Sequence, residues 1–252
     1  MTMPRVVATE TLDGLRESDP AAIGSRRDLQ RVHRVMGTRA IVLQAIRDLP
    51  TLAETSAPLR ILELGAGDGS LMLGVARALT GTWPPVALTL LDRQKLVERA
   101  TVERYAAVGW TASSHIVDVL DWIASAEEAS REREPGVPWD LIIANLFLHH
   151  FEGNQLATLL ASIASQARCF FACEPRRAWL PLAGSHLIGA IGANAVTRED
   201  AVLSVHAGFR DGELTAIWPH RSTDWKLTEY SAGLFSHCFR AERLVAAREP
   251  TH

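Results

Sequence analysis

The feature that most constrains this chain is the run Ile61-Leu62-Glu63-Leu64-Gly65-Ala66-Gly67-Asp68-Gly69-Ser70. The apolar stretch 59–64 reads as a strand, and 70–79 carries apolar residues at helical spacing. Glycines at alternate positions between the two let the backbone turn sharply and let a ligand approach where a Cβ would otherwise stand. A strand entering a helix through such a loop belongs to a βα unit with a ligand site at the helix N-terminus. The spacing departs from the dinucleotide pattern G-x-G-x-x-G: its third glycine comes one residue early, and Ser70 stands where that pattern wants it. Pyrophosphate binding is weakened by that change.

The alternation continues along the chain. Stretches 86–91, 113–117, 140–144 and 169–173 read as strands. Stretches 94–108, 120–131 and 155–166 read as helices, the last with Leu156, Leu159, Leu160 and Ile163 on one stripe. Strands alternating with helices imply βαβ units and a parallel sheet covered on both faces. Right-handed crossovers bring the strand C-termini to one edge, where ligands bind. Upstream, 28–49 carries a helical stripe of Leu29, Val32, Met36, Leu43 and Ile46, closed by Pro50. The loop 132–138, with two prolines and a glycine, is a break. Downstream, 174–195 is long and rich in small residues, and 197–207 reads as a helix capped by Thr197 or Asn194. Stretches 212–218 and 234–242 read as two further strands that add a hairpin to the sheet edge.

Composition closes off other classes. A chain of 252 residues, 47% hydrophobic and 22% charged, suits one large domain with a sizeable core. A net charge of −3 and a pI near 6.3 lack the basic excess of proteins that live on nucleic acid or anionic lipid. The longest apolar run, 182–196, is interrupted by His186 and Asn194 and is shorter than the ~20 residues of a membrane span. The first residues hold no apolar leader. Cys169, Cys173 and Cys238 are odd in number and irregular in spacing, which suits buried thiols in a reducing cytoplasm better than disulfides or zinc. A cytoplasmic protein with no nucleic-acid partner and no membrane span is the expectation.

With these motifs in place, the chain resembles the class I S-adenosylmethionine-dependent methyltransferases of small-molecule type, over about residues 55–243. Their first motif is an acid followed by G-x-G-x-G after strand one, here Glu63 with Gly65, Gly67 and Gly69. Asp92 ends the second strand, Asp118 ends the third, and Asn145 follows the fourth. Leu148-His149-His150-Phe151 is similar to a segment common in the small-molecule members. The resemblance implies an α/β, Rossmann-like, doubly wound seven-stranded sheet, mostly parallel with an antiparallel terminal hairpin strand, plus an N-terminal helical lid. It implies a lid segment over 1–54 and a catalytic domain over 55–252, with a substrate-side insertion at 176–196. It also implies S-adenosyl-L-methionine as cofactor and S-adenosyl-L-homocysteine as product. The donor is then held by Glu63, Gly65, Ala66, Gly67 and Gly69, by Asp92 and Arg93 at the ribose, by Asp118 and Val119 at the adenine, and by Asn145 and Leu146.

The sulfonium donor is already activated, so positioning supplies much of the catalysis. A phenolic acceptor, with a pKa of ~10, gains from a base at neutral pH. His149 and His150 follow the fourth strand and Glu174 follows the fifth, so Glu174 can orient one of them. Adjacent residues do not face the same way, and position after the strand favours His149 as the base. Arg176, His186, Asn194 and Trp218 are the candidate acceptor residues. A metal is not expected: the position after the fourth strand reads Ala144-Asn145, and hard cations want several carboxylates. The [ND]-P-P-[YF] segment of nucleic-acid amino-methyltransferases is replaced by Asn145-Leu146-Phe147-Leu148. The reading is O-methylation of a phenolic or polyketide-like hydroxyl in secondary metabolism. N- or C-methylation of a small metabolite, or a nicotinamide-dependent Rossmann oxidoreductase, stand as alternatives, and homodimer formation is left open.

Overall fold

Five apolar stretches become parallel strands: β1 (Leu59–Leu64), β2 (Val86–Asp92), β3 (Trp110–Ile116), β4 (Trp139–Asn145) and β5 (Ala167–Pro175). The computed structural model describes residues 3–49, 52, 57–132, 139–219 and 224–244. Two antiparallel strands, β6 (Trp225–Ala232) and β7 (Ser236–Arg243), complete a seven-stranded sheet of order β3-β2-β1-β4-β5-β7-β6. The order reverses at β1, so β1 and β4 flank the point where a doubly wound sheet opens a crevice beyond its strand ends.

Period-two alternation sends neighbouring residues of each strand to opposite faces. Ile61, Ile143 and Phe171 join one core with Val42 and Ile46 of α3 (Thr38–Arg47) and Met72 and Val75 of α4 (Ser70–Leu79). Leu62, Ile142 and Phe170 join the other, covered by α7 (Gly153–Gln166). The intervening helices are α5 (Arg99–Ala106) and α6 (Val119–Glu132). Leu156, Leu159, Leu160 and Ile163 of α7 are fully buried, and at roughly 1.5–3 kcal/mol each they hold on the sheet a helix that would be marginal alone.

The elements differ from the sequence reading where a local signal was overridden. The stripe over 28–49 is two helices, α2 (Pro20–Met36) and α3, parted at Gly37, whose φ of 69° ends the first. α2 begins eight residues earlier than expected because Asp19 caps it, its side chain accepting from the Ala21 amide at 2.8 Å, with Pro20 at the first helical position. A short α1 (Thr11–Gly14) precedes it. The expected helix 94–108 shrinks to α5, since residues 94–98 run past the cavity mouth instead. Within 174–195 the chain forms α8 (Trp179–Leu187) and a 3-10 turn, and α9 (Ala195–Ala207) follows with Asn194 as its cap. The stretch 212–218 is not a strand: α10 (Glu213–Ile217) buries Leu214 and Trp218, four apart, on one helical face. The strand of the hairpin lies later, in β6. The expected loop at 132–138 falls largely outside the described residues.

Candidate functional site

The C-terminal ends of the parallel strands border a cavity of about 440 Å³. Its floor is the glycine loop between β1 and α4, where Gly65 and Gly67 adopt φ values of 65° and 56°, which L side chains rarely take. A Cβ at Gly65 would stand 2.5 Å from Cδ2 of Phe147, while at Gly67 it would meet nothing within 4 Å and would point into open space. Asp92, at the end of β2, braces the loop: its Oδ2 accepts from the Gly67 amide at 2.8 Å and its Oδ1 from the Gln94 amide at 2.9 Å. Asp118 accepts from the Leu120 amide at 2.9 Å and so caps α6.

Among the described residues, three buried polar atoms of the cavity lining have no partner: Oε2 of Glu63, Oδ1 of Asn145 and Nε2 of His33. Burial, then the charges of Asp68 and Asp92, raise the Glu63 carboxyl well above its ordinary range. An acid so placed is relieved by a cation or a hydrogen-bond donor. Leu146, at the end of β4, has a φ of 49°, an uncommon backbone conformation that turns the chain across the cavity.

Beyond Leu146, a 3-10 turn (Leu148–His150) rests on Glu174 of β5, which is completely buried. Oε1 of Glu174 accepts from the amides of Phe147 and Leu148 at 3.1 and 2.9 Å, and Oε2 accepts from the His149 amide at 3.3 Å and contacts His149 Nδ1 at 2.8 Å. The other ring nitrogen of His149, Nε2, faces Glu10 Oε1 at 3.3 Å. Burial works against the charged imidazole, but the hydrogen bonds and charges of Glu10 and Glu174 outweigh it and push the His149 pKa up to about 9. His150 lies beside it, ring centroids 4.2 Å apart, with Nδ1 3.3 Å from Asp13 Oδ2. Its pKa is lowered, by burial and then by the neighbouring His149 charge.

The roof comes from the N-terminal segment and α2. Glu10, Leu12 and Asp13 line it together with Arg26, Leu29, Gln30 and His33. Asp200 of α9 accepts from the amides of Thr11 and Leu12 at 2.8 and 2.9 Å, and Ser204 donates to Glu10. Gln30 reaches down to Asp68 on the loop at 2.7 Å. His33 is held low, at about 4, chiefly by burial, and its Nε2 has no partner.

A family profile described as lysine methyltransferase matches residues 37–179, more than half of the chain. The chain belongs to this family. As a lysine methyltransferase family member with this sheet, it is a class I S-adenosylmethionine-dependent methyltransferase. Among solved structures it is similar to the plantazolicin methyltransferase BpumL in complex with a monoazolic desmethylPZN analog and SAH, at 13% identity and a TM-score of 0.58, covering 87% of this chain and 90% of that one. It is also similar to an O-methyltransferase family protein from Burkholderia thailandensis, at 14% identity and a TM-score of 0.56, covering 88% of this chain and 61% of that one. At such identities the likeness is one of fold. No curated protein matches the chain.

In this family member the fold brings most of the expected donor residues to one wall. Glu63, Gly65, Ala66, Gly67, Asp92 and Arg93 line the cavity, as do Asp118, Val119, Asn145 and Leu146. Gly69 lies just outside, as the N-cap of α4, with its carbonyl accepting from the Tyr105 hydroxyl at 2.6 Å. His149 and His150 line the same cavity, with Glu174 beneath them. His149, expected as the base, has both ring nitrogens against carboxylates, so it offers no free lone pair to an acceptor proton.

The four expected acceptor residues are not in the cavity wall. His186 is exposed on α8. The Asn194 side chain accepts from the Thr197 amide at 2.8 Å and from the Ser25 hydroxyl at 3.1 Å, and donates to the Ala21 carbonyl, tying α9 to α2. Trp218 is 2% exposed and packs on Phe170, Trp225 and Phe239 in the core. The Arg176 amide, just past β5, donates to the Phe235 carbonyl at 2.8 Å. The roof of Glu10, Asp13 and α2 falls within the expected lid segment 1–54, but no motif had singled out Glu10 or Asp13. Only α2 left a trace there, in the stripe that includes Leu29.

Proposed function

We propose that this methyltransferase transfers the methyl group of S-adenosylmethionine to a hydroxyl oxygen of a small phenolic or polyketide-like acceptor. The observation that carries the reading is one cavity whose wall holds the glycine loop, Glu63, Asp92 and Asp118 together with the His149–His150 turn. The donor fits the unsatisfied atoms of that wall. Glu63, buried with an orphan oxygen, suits a cationic group, and Asp92 retains lone pairs for the ribose hydroxyls beyond those given to Gly67 and Gln94. Asp118 and Asn145 offer acceptors for an amino group. The bound donor supplies an electrophilic methyl group.

This chain's own residues do the rest. The glycine loop leaves room for the donor to lie against the backbone. The roof of Glu10, Leu12, Asp13 and α2 narrows the acceptor's approach to the donor wall. The acceptor's hydroxyl proton passes to Nε2 of His150, whose other ring nitrogen faces Asp13. A roof tied down at Asp200, Ser204 and Asp68 favours a small molecule over the surface of a folded protein. The family description favours a second reading, transfer to a lysine nitrogen.

Incubating the purified protein with methyl-deuterated S-adenosylmethionine and two acceptor panels, phenols with hydroxylated polyketides and lysine peptides, decides between them by mass spectrometry. Labelled O-methyl product from the first panel is expected. Label found only on lysine peptides would overturn the small-molecule assignment.

A further inference from the structure

Glu10, from the N-terminal segment, meets His149 and His150 beyond β4, and one donor atom from each residue lies within 4.8 Å of the others. We propose that these three residues bind one divalent first-row transition-metal ion, of the zinc or iron class, in the cavity wall where the acceptor hydroxyl arrives. Two imidazoles and one carboxylate are the donor set such ions prefer, whereas magnesium and calcium want oxygen throughout.

The geometry around the three residues supports this beyond their proximity. Ligating histidines commonly present one nitrogen to the ion and give the other N–H to a carboxylate, which fixes tautomer and ring orientation. Glu174 does this for His149, with Nδ1 2.8 Å from Oε2, and its remaining contacts to three backbone amides leave it no freedom to move. Asp13, 3.3 Å from His150 Nδ1, supplies the corresponding carboxylate to the second ring. The Ser204 hydroxyl donates to Glu10 and orients the third donor.

The distance between His149 Nε2 and Glu10 Oε1 is 3.3 Å. Charge-assisted hydrogen bonds between such groups are commonly about 2.7–2.9 Å. An edge of about 3.3 Å is what two ligands make on a tetrahedral ion at about 2.0–2.1 Å. In the metal-free protein a proton on Nε2 fills that gap, and metal binding releases it.

Three protein ligands leave an open position, and all three residues line the cavity. A hydroxyl bound there loses its proton to solvent: the O–H bond breaks and the oxygen stays on the ion with a lone pair to spare. Coordination brings zinc-bound water from a pKa of about 15.7 to about 7, a far larger shift than a phenol needs. The expectation of a metal-free site rested on the residues just after the fourth strand; Glu10 is brought in across 139 residues of chain. The acceptor's place at the ion rests on the proposed function, but the ion's binding does not.

The test uses the full chain, stripped with a chelator and titrated with Co²⁺ as a spectroscopic stand-in. Ligand-field absorption saturating at one ion per chain is expected, abolished by an equal amount of Zn²⁺. Glu10→Gln and His150→Ala should each weaken binding at least about tenfold, the loss that even outer-shell changes produce. His149→Ala also removes the tie to Glu174 and can unfold the turn, so the two other variants, checked for native circular dichroism, decide. No saturable binding, or binding undiminished in both, would overturn the proposal. Calorimetry with S-adenosylhomocysteine on the stripped protein is read separately. If it binds while Co²⁺ does not, only the metal inference falls; if Co²⁺ binds while it does not, only the donor reading falls.

Discussion

Asp92 holds the glycine loop and, in the proposed function, the donor's ribose, and the two roles separate in one experiment. In the free protein its carboxylate accepts two backbone bonds, from Gly67 at 2.8 Å and Gln94 at 2.9 Å. Hydrogen bonds to a charged group are worth about 1.5–3 kcal/mol each, and at this partly buried site water repairs some of the loss, so the low end applies. Asp92→Ala should therefore cost the free protein about 3 kcal/mol, and Asp92→Asn, which keeps one good acceptor, about half of that. Both variants should also lose about 10- to 100-fold in affinity for S-adenosylhomocysteine, or about 1.4–2.8 kcal/mol. Urea unfolding with and without ligand reads both quantities. At a concentration of 100 times its Kd, the ligand stabilises the natural protein by about 2.7 kcal/mol; a tenfold weaker variant gains only about 1.4 kcal/mol at the same concentration. If both variants keep the full ligand increment, Asp92 is only a loop brace and the ribose assignment fails. If neither loses stability, the brace is refuted.

The orphan carboxyl of Glu63 predicts opposite effects on stability and binding. Its folded pKa lies above the ordinary 4.5, so its contribution is fully present below that value and is lost as pH rises through the folded pKa. Glu63→Gln should melt at a higher temperature than the natural protein at neutral pH, lose that advantage in acid, and bind the donor more weakly; an equal melting temperature at both pH values would refute the buried-charge argument. Alanine at Gly65 should cost about 1–2 kcal/mol for its backbone conformation plus about 1–3 kcal/mol for the clash with Phe147. Alanine at Gly67 should cost only the first of these and act mainly on donor affinity, because its Cβ enters open space; denaturation and calorimetry on the pair would show if the order is reversed. Asn194→Ala should cost about 1 kcal/mol, the worth of a helix cap, and leave donor affinity within about twofold; a large drop in affinity would return Asn194 to the site.

The sheet was legible because its strands are short apolar runs separated by helical stripes, a pattern that burial on both faces imposes directly on residue type. The errors fell where that pattern was ambiguous. Stretch 212–218 holds Leu214, Ile217 and Trp218 in so few residues that periods of two and of 3.6 cannot be told apart, and packing of Leu214 and Trp218 into the core settles it as helix. β6 escaped notice because it is the outermost strand, half solvated, and shows polar Lys226, Thr228, Glu229 and Ser231. Gly37 sat inside a continuous apolar stripe, and its left-handed conformation, not any loss of periodicity, divided the helix.

In the proposed function the site divides along a physical line. The donor half is written in consecutive residues because it is made of backbone: a ligand lying against main chain demands glycines at fixed spacing, and the carboxylates beside it sit at strand ends that the sheet pattern already locates. The acceptor half has no such local rule. Glu10 reaches His149 across 139 residues, and Asp200 holds Thr11 across 189, so the roof exists only once α9 and the N-terminal segment have docked. After the fifth strand, the small and apolar residues of 176–196 suggest a pocket. Asn194 there instead caps a helix, and Trp218, further along, packs in the core. An isolated Glu10 in a polar segment carries no signal until its partner is known. If the proposed function holds, specificity for the acceptor resides in these long-range contacts, and substitutions at Glu10 or Asp13 should alter acceptor turnover while leaving the donor wall of Glu63, Gly67 and Asp92 intact.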